Sequence, residues 1–161
     1  MRPPPLASVA STAALVLGLS ACNTDAAVFV DPDIEDPAVT VTKAALGTTL
    51  TGSVTLTLHL SARASGPSSV TLGSFALKKS DGTTVLVENL PYSADPASPV
   101  AVAEDSTTTV KLTFDSGAKL LDAAVRDAVC AGDVVVAGVI EDSLLTTSTP
   151  VVSDPFTPSC P

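Results

Sequence analysis

Apolar side chains recur at every second position along most of this 161-residue chain, a period that suits pleated strands and is wrong for a helical bundle. Val39 and Val41 alternate with Thr40 and Thr42, and Val54, Leu56, Leu58 and Leu60 alternate with Thr55, Thr57 and His59. Each run predicts a strand with one face on a core and the other in water. Val70 and Leu72 open a further run, whose apolar phase slips by one at Gly73-Ser74 and resumes at Phe75 and Leu77. Such a slip marks a β-bulge. Asp81-Gly82 then separates Lys78-Lys79 from Val85-Leu86-Val87, which predicts a hairpin with Gly82 at positive φ.

Residues 91–99 begin and end with proline and read as a loop, residues 100–103 as a short strand, and Val110, Leu112 and Phe114 as the inward face of the next. Only Leu120, Leu121, Ala124, Val125 and Ala128 take helical spacing, with Ser116 as the expected N-cap, Gly132 as the stop and Asp122 and Arg126 as an i, i+4 ion pair. Residues 134–140 are apolar on both faces, as in a central strand, and the helix is the expected second cover. Seven or eight strands with turn signals about every ten residues predict an all-β fold. The expected form is an immunoglobulin-like sandwich of two sheets, with one short helix before the penultimate strands.

Charge and ring content narrow the partners. Asp and Glu number 17 against 8 Lys and Arg, a formal charge of −9, which repels nucleic acid and anionic lipid headgroups. Phe29, Phe75, Tyr92, Phe114 and Phe156 are the only rings of their kind and Trp is absent, so base or sugar stacking has little to work with.

The N-terminus carries an address. Residues 6–21 are uncharged and follow Arg2 and three prolines; as a helix they would span about 24 Å, short of the roughly 30 Å hydrocarbon layer. The run ends in Leu19-Ser20-Ala21-Cys22, which resembles the lipobox of bacterial lipoproteins. That resemblance implies a signal peptide over residues 1–21 and a Cys22 thiol that takes a diacylglyceryl group. It also implies a lipid-anchored product in the cell envelope, with the bilayer as its partner through acylated Cys22. Asn23 stands where Asp would favour inner-membrane retention, which by the same resemblance implies the outer membrane.

Between the anchor and the first alternating run, Asp25, Asp31, Asp33, Glu35 and Asp36 occur without Lys or Arg, interrupted by Pro32 and Pro37. Residues 22–37 therefore read as an acidic, extended tether ahead of one domain over residues 38–161. A calcium loop is the sharper reading of Asp31, Asp33, Glu35 and Asp36, but the turn glycine and distal Glu of the helix-loop-helix pattern are missing. With Cys22 given to lipid, Cys130 and Cys160 remain as an even pair in an oxidising compartment, and a disulfide is expected. There is no Cys-x-x-Cys to suggest a redox or metal pair.

His59 is the only histidine and shares its strand face with Thr55 and Thr57, so it reads as a surface residue and not as a hydrolytic base. Glu104-Asp105 and Glu141-Asp142 are adjacent pairs that point to opposite sides of an extended chain, and both read as solvated strand ends. No catalytic residue, metal site or cofactor is expected. The layout of strand, short helix and buried strand between Thr48 and Leu145 resembles the late-embryogenesis-abundant type 2 (WHy) domain. That family's Asn-Pro pair is absent where Ser61-Ala62-Arg63 follows Leu60, so the resemblance reaches layout and implies no binding residue. The expected role is a non-catalytic structural or protein-interaction module that meets another envelope protein through a sheet edge or loops. A small-ligand or cation binder is the alternative, and a hydrolase of unrecognised type the third.

Overall fold

The structure is a computed structural model that describes residues 28–44, 47–117 and 120–161. The expected signal peptide over residues 1–21 and the expected lipidation site Cys22 lie outside the described residues. The alternating runs form β1 (Asp31–Ala44), β2 (Gly47–Leu60), β3 (Ser68–Lys79), β4 (Val85–Val87), β5 (Tyr92–Asp95), β6 (Val100–Val102) and β7 (Ser106–Asp115). The helix α1 (Ala123–Val129) precedes β8 (Val134–Asp142) and β9 (Thr149–Val152).

One sheet has the order β1-β2-β7-β5 and the other β4-β3-β8-β9, with β6 also paired to β3. All these pairings are antiparallel. In immunoglobulin lettering the two sheets read A-B-E-D and C′-C-F-G, so the all-β, two-sheet sandwich expected from the alternation is the fold observed.

Parity decides the core. Val54, Leu56, Leu58 and Leu60 from β2, Val110, Leu112 and Phe114 from β7, and Val70, Phe75 and Leu77 from β3 are all buried between the sheets. The register of β3 against β8 shifts between Leu72 and Phe75, which places the bulge at Gly73-Ser74 and explains the slipped apolar phase. Beyond it Phe75 pairs with Gly138, and its ring meets Tyr92 edge-on at 5.2 Å between centroids. The Tyr92 hydroxyl donates to the Leu72 carbonyl at 3.0 Å, so the ring cluster ties the bulge of one sheet to an edge strand of the other.

The β3–β4 hairpin forms as expected, with Gly82 at φ +70. Asp81 organises it by accepting the backbone N–H groups of Thr83 at 2.7 Å and Thr84 at 2.8 Å.

Several expectations need correction. The tether does not run to Pro37, because β1 begins at Asp31 and Ile34 is buried. Asp31, Asp33 and Glu35 are the solvent phase of an edge strand, where a proline such as Pro32 is tolerated, and a register shift between Glu35 and Ala38 accommodates Pro37. Residues 91–99 are not all loop, since β5 pairs with β7 across Tyr92↔Phe114 to Asp95↔Lys111.

The helix is shorter than its spacing suggested. Asp122 is the N-cap, while the Ser116 hydroxyl accepts the Leu50 N–H at 2.9 Å. Leu121 instead forms a bridge with Thr48, its N–H donating to the Thr48 carbonyl at 2.7 Å. That bridge holds the first residues of the helical spacing in extended form. Arg126 reaches Asp127 at 3.5 Å and not Asp122, and α1 packs mainly on β2 and β4 rather than covering β8.

Candidate functional site

The two ends of the sandwich differ. At one end lie the paired ends of β1 and β2 at Ala44 and Gly47, the 79–84 turn and α1; at the other lie Val30, the 61–67 loop, the 103–105 turn and the loop after Asp142. Among the described residues the buried charged side chain, Asp142, lies at the second end.

Asp142 has the same parity as Val134, Val136 and Ile140, so β8 delivers its carboxylate into the interior, where it is 3% exposed. It accepts the Val30 N–H at 2.8 Å and the Leu144 N–H at 2.9 Å, and takes a third hydrogen bond from the Ser68 hydroxyl. Three donors aimed at one buried carboxylate replace the water it has lost, each charge-assisted bond contributing about 1.5–3 kcal/mol. Around this node the Ser143 hydroxyl accepts the Ser69 N–H at 2.9 Å, and the Ser143 N–H donates to the Ser69 carbonyl at 3.1 Å. The expectation that Asp142 is a solvated strand end is therefore wrong. Its neighbour Glu141 does face solvent, as the opposite parity requires. Parity in the sequence separates the two acids but does not say which is buried, because residues 134–140 are apolar on both faces.

Beside the node lies an open cleft of about 520 Å³, lined among others by Ser69, Thr71, Glu141, Ser143, Thr147 and Ser148. Hydroxyls both donate and accept, so the cleft can hold a small polar molecule by hydrogen bonds. Ser68, behind this wall, is buried, and its proton is committed to the Asp142 carboxylate.

His59 sits on the outer side of the first sheet with Nδ1 3.1 Å from the Thr107 hydroxyl. The register sets Asp31 and Thr107 opposite it on either side. A hydroxyl, an imidazole and a carboxylate thus share one row. The row lies on a sheet whose backbone N–H groups are used in ladder bonds. The acids read as a calcium loop lie along an extended strand. Among the described residues no three His, Cys, Asp or Glu groups come together as a metal site. Among the described residues no helix is long and apolar enough to cross a membrane.

Cys130, the C-cap of α1, is bonded to Cys160, 30 residues later. The segment ahead of Cys160 is doubly stitched. Phe156 and Val134 exchange both backbone bonds at 2.9 Å, then the Ser159 N–H donates to Val39 and the Val41 N–H donates to Ser159, each at 2.8 Å. The C-terminus therefore crosses from the second sheet to the first and covers part of the open edge of β1, an edge that would otherwise invite strand addition.

Compared with family models, curated proteins and solved structures, the chain matches none of them.

Proposed function

We propose that this protein is an exported bacterial lipoprotein, anchored through acyl chains on Cys22 in the outer membrane. Its immunoglobulin-like domain serves there as a non-catalytic module that meets another envelope protein. The observation that carries this reading is the short interval between Leu19-Ser20-Ala21-Cys22 and Val30, the first buried residue among those described. A stable fold starts directly after a lipid attachment sequence, as expected of a domain displayed on a bilayer. The reading gains support from where the reactive side chains are spent: Asp142 and Ser68 join strand ends, and His59 bonds a threonine across the sheet.

Mass spectrometry of the envelope fraction is the test. The mature chain begins at Cys22 and carries diacylglyceryl mass, whereas Cys22→Ala yields an unacylated protein that leaves the membrane fraction. Crosslinking then captures a specific envelope protein with the lipidated form. Finding Cys22 unmodified, or the leader uncut in the cytosol, overturns the reading.

The hydroxyl-lined cleft beside Asp142 favours a second reading, a small-ligand or cation binder. Under that reading, Ca²⁺ or a set of small polar compounds shifts the amide signals of Ser143 and Thr147. No shift with any of them removes it.

A further inference from the structure

Resting on the lipoprotein reading, we infer that the Asp142 end of the sandwich faces the bilayer, with Val28 and Phe29 in the headgroup zone, and that the Asp81 end points away from it. The argument begins with chain length. Val30 is locked into the domain by its bond to Asp142, and eight peptide steps separate it from the lipidated residue, a reach of at most about 29 Å. The strand that starts beside it, β1, has 14 residues and is about 46 Å long at 3.3 Å per residue. An inverted domain would hold Val30 farther from the membrane than its own tether can reach.

Lying flat is permitted by length, so chemistry must choose between upright and flat. Val28 and Phe29 are 41% and 40% exposed although both are large and apolar, and they lie within about 25 Å of the anchor along the chain. Apolar area leaving water contributes roughly 25 cal/mol per Å², so the interface is a better place for them than bulk solvent. The flank of β1 carries exposed Asp33, Glu35 and Asp36 and no exposed large apolar side chain, so lying on it brings acids to the headgroups without burying apolar area. Around the tip, exposed Asp31, Glu104, Asp105 and Glu141 outweigh Arg63. The fit is thus to a zwitterionic surface, on which the tip rests without deep insertion, and anionic lipid opposes it.

The chain contains no Trp, so Phe29→Trp, Thr83→Trp and Val152→Trp each give a single fluorescent reporter, at the near tip, the far tip and a sheet face. The full lipidated protein is placed in phosphatidylcholine vesicles with brominated phosphatidylcholine as quencher. The expected result is that Phe29→Trp loses about half its emission or more, while Thr83→Trp and Val152→Trp keep theirs. Replacing half the lipid with phosphatidylglycerol restores part of the lost emission. Unquenched Phe29→Trp overturns the inference, as does equal quenching of Val152→Trp, which would mean a flat domain, or of Thr83→Trp. Flotation and the acyl mass of Cys22, read on the same samples, separate the two failures. Acylated, floating and unquenched protein defeats the orientation alone, whereas unacylated protein that stays in solution defeats the lipoprotein reading beneath it.

Discussion

The backbone N–H of Val30 donates to the carboxylate of Asp142 at 2.8 Å across 112 residues of sequence, joining the start of the domain to the end of its penultimate strand. One buried carboxylate thereby fastens the residue that leads into β1, the start of β3 through Ser68 and the loop after β8.

Replacing Asp142 removes the acceptor for three donors at once. Asp142→Ala is expected to destabilise the domain by about 3–5 kcal/mol, since buried donors left without partners carry their full desolvation cost. Asp142→Asn keeps one acceptor oxygen and is expected to lose less. Urea unfolding of the mature chain measures both, and a loss below 1 kcal/mol for Asp142→Ala would show that the node is not holding the strand ends together.

Gly138 lies under the Phe75 ring, where an added Cβ would come within 2.4 Å of Cδ1. Phe75 is fully buried and has no room to retreat, so Gly138→Ala is expected to cost about 1–3 kcal/mol by overpacking. Combining it with Phe75→Leu should recover part of that loss. Purely additive losses in the double variant would mean that the ring is not the source of the strain.

Opening the Cys130–Cys160 bond releases the segment that crosses between the sheets. By loop-closure entropy alone the paired change Cys130→Ala, Cys160→Ala should lower stability by about 3–4 kcal/mol. Hydrogen exchange separates this global effect from a local one. The amides of Val41 and Ser159 should lose protection first, while the Leu56 amide, in the middle of β2, stays protected until global unfolding.

Asp81 is expected to titrate at about 2, below its ordinary 3.8, because the backbone N–H of Thr84 and then that of Thr83 stabilise the charged carboxylate. A lowered pKa in the fold means that its contribution is complete above about 3.8 and is lost as pH falls towards 2. The group is fully exposed, so solvent screens the effect and the change in overall stability is small. NMR titration of the Asp81 side-chain carbon reads the value directly. A midpoint near 3.8 would contradict the turn geometry, and Asp81→Asn should abolish the transition and loosen the 81–84 turn.

Much of this architecture could be read in advance because parity is a local property. The faces of β2, β3 and β7, the slip at Gly73-Ser74 and the Asp81-Gly82 hairpin each depend on a few consecutive residues, and each matches the fold. The misreadings fall where a distant segment intervened. Ser116 looks like a helix cap until Leu50 claims its hydroxyl, and Leu121 looks helical until Thr48 bonds its backbone. Asp31 to Asp36 looks like a tether until β2 supplies a ladder for it.

The candidate site shows the same division. That Glu141 and Asp142 point to opposite sides follows from the alternation along β8 and needs no partner strand. Which of the two is buried depends on Ser68 and Val30 arriving from 74 and 112 residues away to supply donors. A one-dimensional pattern specifies the side on which a group emerges. Folding alone brings the hydrogen-bond donors that make burial of a charge affordable, because they belong to strands that are neighbours in space and strangers in sequence.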